Sequence, residues 1–272
     1  MIEFHCSRHA KDGTPIIKDT EIADYAEALV RDYDADYLEE PWKLDPLKFS
    51  EYYLEANLDF VDIYCEEGEQ IAGATVFNRE NIKLFDRDNM RTRCETFEPN
   101  TILIDNETMK EGRETFARFT VFHEDGHLCM HPRVFRINPQ QMSIFDYLEP
   151  AVSKSVICCR KTNIEDRKNK LVTQEDFREH QANVFAAAIT MPKKIFMEIG
   201  INAIRQMGCE DDYYILPTLR ETDYDECADS LATYMGHRFN VSKSAARVQL
   251  RKYGLIRTSY EVFQASNQSC LF

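Results

Sequence analysis

The chain has 272 residues, 43% of them hydrophobic and 29% charged, a balance that excludes a disordered or low-complexity protein. Its formal net charge of −14 argues against nucleic-acid binding through the whole surface. The sequence has no apolar run of about 18 residues and no basic leader before an apolar stretch, and its cysteines form no C-x-x-C pair. We therefore expect a cytoplasmic protein that does not enter a membrane.

The N-terminal half predicts two helices followed by strands. Apolar residues recur at helical spacing after Thr20, and Pro46 opens a second helical stretch. Segments rich in β-branched and aromatic residues then predict three strands: DFVDIYC, IAGATVFN and NTILIDN. Glu67-Gly68 supplies a turn between the first two, and NIKLFD could add a short strand after the second.

The C-terminal half predicts four helices and one irregular segment. The first helix extends from Glu111 to His131, before Pro132, and the second begins after Thr173. Between them, residues 133–172 should form an excursion with short helices, and excursions of this length are often functional. Two further helical patterns follow: ECADSLATYMGHRF and SKSAARVQLRKYG.

The segment HEDGH carries the clearest chemical pattern. Residues four apart share one face of a helix, so His123 and His127 can present ring nitrogens to one metal ion. Glu124 is displaced around the helix, where it can take a proton from a metal-activated water without binding the ion itself. The apolar flanks FTVF and LCM favour an embedded site, while a solvated pair of surface histidines is the alternative.

A third ligand is expected on a helix downstream. Arg133 stands where a metzincin would have its third histidine, which excludes that subclass. We favour Glu179 over His180, because adjacent helical residues point about 100° apart and only one of them can face the metal. Asn183, a turn further on, could accept a hydrogen bond from a ligand histidine and fix its orientation.

The sequence around these residues resembles the ImmA/IrrE family of metallo-endopeptidases. That family pairs a helix of the form RFT-x-x-HE-x-GH-x-x-x-H with a second of the form E-x-x-AN-x-FAA-x-x-x-MP. The matching segments here are ARFTVFHEDGHLCMH and EHQANVFAAAITMP. The resemblance covers residues 59–192 well, apart from 133–172, and the helical tail more loosely.

The resemblance implies an enzyme, a zinc-dependent endopeptidase. It implies one Zn²⁺ on His123, His127 and Glu179, with Glu124 as general base; Mn²⁺ also suits these ligand types. The implied substrate is a cytosolic protein, typically a helix-turn-helix, phage-repressor-like transcriptional regulator. It would be held in extended form along an edge strand, by β-augmentation. That strand would consist of Ile71, Ala72, Gly73, Ala74, Thr75 and Val76.

Two residues of the HEDGH helix have more than one interpretation. Asp125 stands where the family usually has an apolar residue; it could add an outer contact, tighten the metal through negative charge, or weaken the site. His131 is one turn beyond His127. It is either a capping or surface histidine or a contact to the substrate or the transition state.

The expected fold class is α+β. A small, mostly antiparallel sheet should pack on the HEDGH helix and on the second ligand-bearing helix, with helices N-terminal to it. We expect a zinc metallopeptidase domain at 1–203 and a C-terminal, helix-turn-helix-like helical subdomain at 204–272.

The stretch 236–257 holds six Lys/Arg and no Asp/Glu. It could contact DNA or a partner, or its apolar residues could pack inward and leave the basic side chains solvated. Because the whole chain is acidic, we favour the second interpretation and do not expect direct nucleic-acid binding. The alternative function is a metal-binding regulatory protein that binds a repressor or DNA through these helices without turnover.

Overall fold

The structure is a computed structural model that describes residues 1–66, 69–135, 156–160, 171–217 and 224–269. Over these ranges the fold is α+β, which confirms the predicted class. The predicted turn at Glu67-Gly68 and the greater part of the 133–172 excursion lie outside the described residues. Nowhere in the described ranges does a helix combine the length and the apolar character that a membrane crossing requires.

The six predicted helices occur in the predicted order, and two further helices, at Lys193–Gln206 and Ser259–Ser269, were not predicted. The helices are α1 (Asp19–Asp34), α2 (Pro46–Lys48), α3 (Glu114–Met130), α4 (Pro132–Phe135), α5 (Gln174–Thr190), α6 (Lys193–Gln206), α7 (Glu226–Phe239), α8 (Lys243–Lys252) and α9 (Ser259–Ser269). α2 continues directly into a π-helix at Phe49–Tyr53. The strands are β1 (Asn57–Val61), β2 (Ile71–Val76), β3 (Glu80–Asp86), β4 (Arg91–Phe97), β5 (Thr101–Asp105), β6 (Val156–Arg160), β7 (Tyr214–Leu216) and β8 (Ile256–Thr258).

The central sheet has four strands in the order β1-β5-β2-β6. β1 is parallel to β5, whereas β2 is antiparallel to both β5 and β6. β5 is buried along its whole length, β2 along all but its first residue, and α3 packs against both strands. The helix that carries HEDGH therefore lies against the most buried part of the sheet.

The prediction that β2 is an edge strand is wrong. β6 pairs with it on the side opposite to β5, with Thr75 facing Ile157 in the register. The segment VICCR begins with two β-branched residues, which favour strands, but it lies within the excursion that the sequence predicted as irregular. β2 consequently has a hydrogen-bonded neighbour on each side and offers no free edge to an extended substrate.

The chain divides into two compact units. One comprises Met1–Ala35 with Leu44–Ile189, and the other comprises Asp36–Lys43 with Thr190–Phe272. The second unit thus includes residues 36–43 and 190–203, which the sequence assigned to the first domain. Helix α6 belongs to this unit, and its Phe196 packs on Phe239 of α7 with ring centroids 5.0 Å apart.

Candidate metal centre

The HEDGH segment lies in the interior of the first unit. Almost all of α3 from Ala117 onward is buried, and His123, Glu124 and His127 are each 0% exposed. This burial excludes the alternative of a solvated pair of surface histidines. Three polar side chains enclosed in this way must form hydrogen bonds with one another or with other residues, or bind an ion. Burying them without such a partner would cost free energy of folding.

The ring nitrogens and one carboxylate converge on a single point. The Nε2 atoms of His123 and His127 are 3.0 Å apart. Glu179 places Oε2 at 3.3 Å from His123 Nε2 and Oε1 at 3.4 Å from His127 Nε2. Two ligands of a tetrahedral zinc ion, each about 2.05 Å from it, lie about 3.3 Å apart, so these separations suit one small cation. Among the described residues, no other group of three or more potential ligands comes together in this way.

A close approach of two helices brings Glu179 to the histidines. At Gly126 an added Cβ would lie 3.1 Å from Phe185 Cδ1 and 3.2 Å from Ala182 Cα. Because glycine has no side chain, α3 can pack this tightly against α5. Glu179, on α5, then faces both histidines of α3.

His180, the rival for the third ligand, faces elsewhere. Its Nε2 lies 2.8 Å from Asp19 Oδ1, and its side chain is 38% exposed. Glu179 is instead 7% exposed. Burial alone would raise the pKa of Glu179, but the imidazoles of His127 and His123 hold it below its usual value. The group therefore contains an ionised carboxylate beside two imidazoles, a donor set that suits a divalent cation.

Glu124 lies beside this group and is held by β2. Its Oε2 accepts a hydrogen bond of 2.6 Å from the Thr75 hydroxyl. Its Oε1 is buried and has no hydrogen-bond partner within the part of the chain that the structure describes. A Cβ added at Gly73 would lie 3.0 Å from Oε1, so β2 leaves just enough room for this oxygen. Burial raises the pKa of Glu124 to about 8.

The strand expected to bind substrate thus has a different place in the site. Thr75 and Gly73 were predicted as part of an edge that pairs with substrate, and they instead contact and accommodate the Glu124 carboxylate. The sequence predicted that the sheet packs on the HEDGH helix, but it did not predict that Gly73 and Thr75, two positions apart and so on one face of β2, lie against Glu124.

Each ligand histidine has an outer partner at its other nitrogen. Asn183 Oδ1 lies 3.1 Å from His123 Nδ1, and His131 Nδ1 lies 3.0 Å from His127 Nδ1. His131 is 0% exposed, which excludes a surface histidine, and its Nε2 is 2.9 Å from Gln181 Oε1. Since both ring nitrogens of His131 are engaged, neither is free to contact a substrate. Helical spacing predicts the place of Asn183, whereas no sequence signal separates Gln181 from an ordinary packing residue.

Asp125 contacts neither a ligand nor the solvent. It is 0% exposed, and Ser50 Oγ, from the π-helix, lies 2.8 and 3.0 Å from its two carboxylate oxygens. Burial raises the pKa of Asp125 well above its usual value. Since its carboxylate faces Ser50 and not a ligand, the contacts favour an additional outer hydrogen bond among the three interpretations.

The basic side chains of 236–257 have partners inside the second unit. Lys243 and Arg247 lie 3.1 and 3.6 Å from the carboxylate of Asp229, and Arg251 lies 3.2 Å from Glu261. Two more guanidinium groups lie over aromatic rings: Arg238 over Trp42 at 3.5 Å and Arg257 over Tyr213 at 4.0 Å. The positive charge of this stretch is therefore largely engaged within the protein.

The chain was compared with protein-family models and with curated proteins. Neither the protein-family models nor the curated proteins include a match to the chain. The resemblance to the ImmA/IrrE family stays a prediction from the two helix motifs. The function of the centre is accordingly argued from its geometry.

Proposed function

We propose that the protein is a zinc-dependent endopeptidase. The observation that supports this most is a buried His123–His127–Glu179 group with a second, non-ligating carboxylate, Glu124, beside it. Two histidines and one glutamate leave a coordination position for water or substrate, as in catalytic zinc sites. Zn²⁺ bound there supplies a Lewis acid and lowers the pKa of its water to about 7. Mn²⁺ is the second metal that these ligands suit.

Glu124 is the proposed general base. The Thr75 hydroxyl occupies Oε2, so the proton of the attacking water passes to Oε1 and from there to the leaving amine. A pKa of about 8 keeps a metal-free Glu124 mostly protonated at neutral pH. A cation on the adjacent ligands favours the ionised form, so the base becomes competent together with the metal.

The proposed substrate is a protein partner, a helix-turn-helix transcriptional regulator of the phage-repressor type. This part of the proposal is supported by the two helix motifs, and it sets the reaction in the cytoplasm, where such regulators act. Pairing of the substrate with β2 is not included, because β6 already pairs with that strand.

A metal-binding regulatory protein without turnover is the second candidate. One observation favours it: the ligand histidines and Glu124 are 0% exposed, and Glu179 is 7% exposed, so the site is closed in this conformation. Direct DNA binding through 236–257 gains no such support, because its basic groups are engaged by acidic and aromatic side chains.

Cleavage by matched variants tests the proposal. The zinc-loaded protein is incubated with a helix-turn-helix regulator of the phage-repressor type and with an unfolded protein as a general substrate. We expect Glu124→Gln to lower the cleavage rate about 10²–10⁴-fold while the protein keeps its zinc, since the base is lost and the ligands are not. Glu114→Gln, an exposed change on the same helix, should cleave like the wild type. A wild type that holds zinc and leaves both proteins intact contradicts the proposal.

A further inference from the structure

We infer that His131, Gln181 and the backbone carbonyl of Pro15 form a positioning chain that fixes the tautomer of His127. The inference deepens the proposed function and rests on its metal centre. His131 and Gln181 act through His127 and touch neither metal nor substrate, so they are positioning residues.

The carbonyl group of Pro15 fixes the direction of the first hydrogen bond in the positioning chain. Gln181 Nε2 lies 2.7 Å from the carbonyl oxygen of Pro15. A carbonyl only accepts hydrogen bonds, so Gln181 must turn its NH₂ group to Pro15 and its amide oxygen to His131. That oxygen, 2.9 Å from His131 Nε2, can only accept in turn. His131 therefore carries a proton on Nε2.

The hydrogen bonds of His131 also determine the tautomer of the ligand His127. His131 is fully buried, and its hydrogen-bond partners among the described residues include no carboxylate that would stabilise a second proton. It therefore carries a single proton, and its Nδ1 presents a lone pair. The atom facing it is His127 Nδ1, at 3.0 Å, which must donate. His127 then has its lone pair on Nε2, the atom that faces His123 and Glu179. Neutral imidazole with a free Nε2 is the form that binds a metal.

A similar hydrogen bond, from His123 to Asn183, fixes the tautomer of the other ligand histidine. The Asn183 side-chain oxygen lies 3.1 Å from His123 Nδ1, which leaves the lone pair of His123 on Nε2. Two lone pairs and the Glu179 carboxylate then face one another within 3.4 Å. Acceptors at such distances repel unless a cation lies among them, so the outer hydrogen bonds make this group specific for a positive ion.

The far end of the positioning chain is anchored by a salt bridge. Arg178 Nη1 donates to Asp12 Oδ2 at 2.7 Å and to the Thr14 hydroxyl at 2.8 Å. Arg178 and Gln181 are three residues apart on α5 and so share one face of it. Together they hold the turn at 12–15 against α5, which keeps the Pro15 carbonyl in reach of Gln181. An N-terminal turn without any sequence motif thereby contributes to the metal centre.

The test compares zinc affinity and the tautomer of His127 in three variants of the full chain. Gln181→Met is of similar length and removes both hydrogen bonds, while Gln181→Glu keeps an oxygen toward His131 and loses the donor toward Pro15. Thr120→Val is the control, since Thr120 is a buried residue of α3 whose hydroxyl bonds only to Phe116 O among the described residues. Affinity is measured by competition with a chelator, and the tautomer by two-bond ¹H–¹⁵N NMR of the metal-free protein.

We expect Gln181→Met to bind Zn²⁺ about 10–100-fold more weakly, the usual effect of losing an outer partner of a ligand histidine. Its His127 Nδ1 proton should exchange faster or move to Nε2. Gln181→Glu should lie between it and the wild type, and Thr120→Val should match the wild type in both measurements. If Gln181→Met does not fold, the inference is tested by comparing the zinc affinity and the His127 spectrum of Gln181→Glu with those of Thr120→Val.

Unchanged affinity and an unchanged His127 spectrum in the Gln181 variants overturn the inference. Neither readout requires turnover. A wild type that binds zinc through His127 but cleaves nothing therefore contradicts the peptidase proposal alone, whereas a wild type that binds no zinc contradicts both.

Discussion

At the scale of single residues, burial determines what each polar side chain of the centre can do. Glu124 has one oxygen bonded to Thr75 and the other without a hydrogen-bond partner among the described residues. Asp125, one position further on, faces Ser50, and burial raises its pKa. Two adjacent carboxyl groups on one helix thus have separate roles, because they face different elements.

Removal of the Thr75 hydroxyl tests the role assigned to Glu124. Thr75→Val is nearly isosteric and leaves Oε2 of the buried carboxylate without its donor. Since a hydrogen bond to a charged group contributes about 1.5–3 kcal/mol, we expect kcat/KM for the cleaved partner to fall roughly 10–100-fold. Zinc affinity should stay near that of the wild type, because Glu124 is not a ligand.

Thr96→Val, on the exposed strand β4, is the matched control and should leave both quantities unchanged. Loss of zinc from Thr75→Val, with activity restored by excess metal, would instead assign Thr75 and Glu124 to metal retention.

At the scale of elements, the centre depends on where α5 meets α3 and on what covers β2. Gly126 permits the contact between the helices, with Ala182 and Phe185 directly opposite. Helical periodicity and the two motifs predict both helices, because these signals are local. The pairing of β6 with β2 places Thr75 opposite Ile157, which is distant in the sequence. No local sequence pattern predicts a strand pairing of this kind.

A side chain at Gly126 should separate the two helices. Gly126→Ala places a methyl group 3.1 Å from the Phe185 ring, and the strain should cost about 1–3 kcal/mol of unfolding free energy. The higher helix propensity of alanine would by itself stabilise the variant by about 1 kcal/mol. The sign of the change in unfolding free energy therefore shows whether strain or helix propensity is the larger effect.

Denaturant unfolding and a zinc titration of this variant measure the two consequences. We expect a lower unfolding free energy and weaker zinc binding, because Glu179 moves with α5. A stabilised variant with unchanged zinc affinity would show that the helices do not need this close approach.

At the scale of the whole molecule, the proposed chemistry belongs to one of the two units. The residues of the metal centre and its positioning chain all lie within Met1–Ala35 and Leu44–Ile189. The unit that contains 236–257 keeps its basic groups in internal contacts. The proposed enzyme thus combines a buried metal centre with a helical unit whose basic groups lie beside acidic and aromatic side chains.

The sequence predicts the α+β class and groups the three ligand residues, because helix periodicity places His123 and His127 on one face and Glu179 follows on a second helix. It does not predict partners that tertiary packing brings from far away. Gln181 meets Pro15 across 166 positions and Ser50 meets Asp125 across 75. Such contacts leave no periodic trace, so of the outer partners the sequence predicts Asn183 alone, and the others become visible only in the structure.

The zinc content of matched variants tests the central claim most directly. After dialysis against a weak chelator, we expect about one zinc ion per chain in the wild type and in His180→Gln, whose side chain faces Asp19. Glu179→Gln is isosteric but lacks the charged ligand, so it should bind zinc at least about 10-fold more weakly. A wild type without zinc, or a Glu179→Gln protein that retains as much as the wild type, would contradict the assignment of His123, His127 and Glu179 as the metal centre.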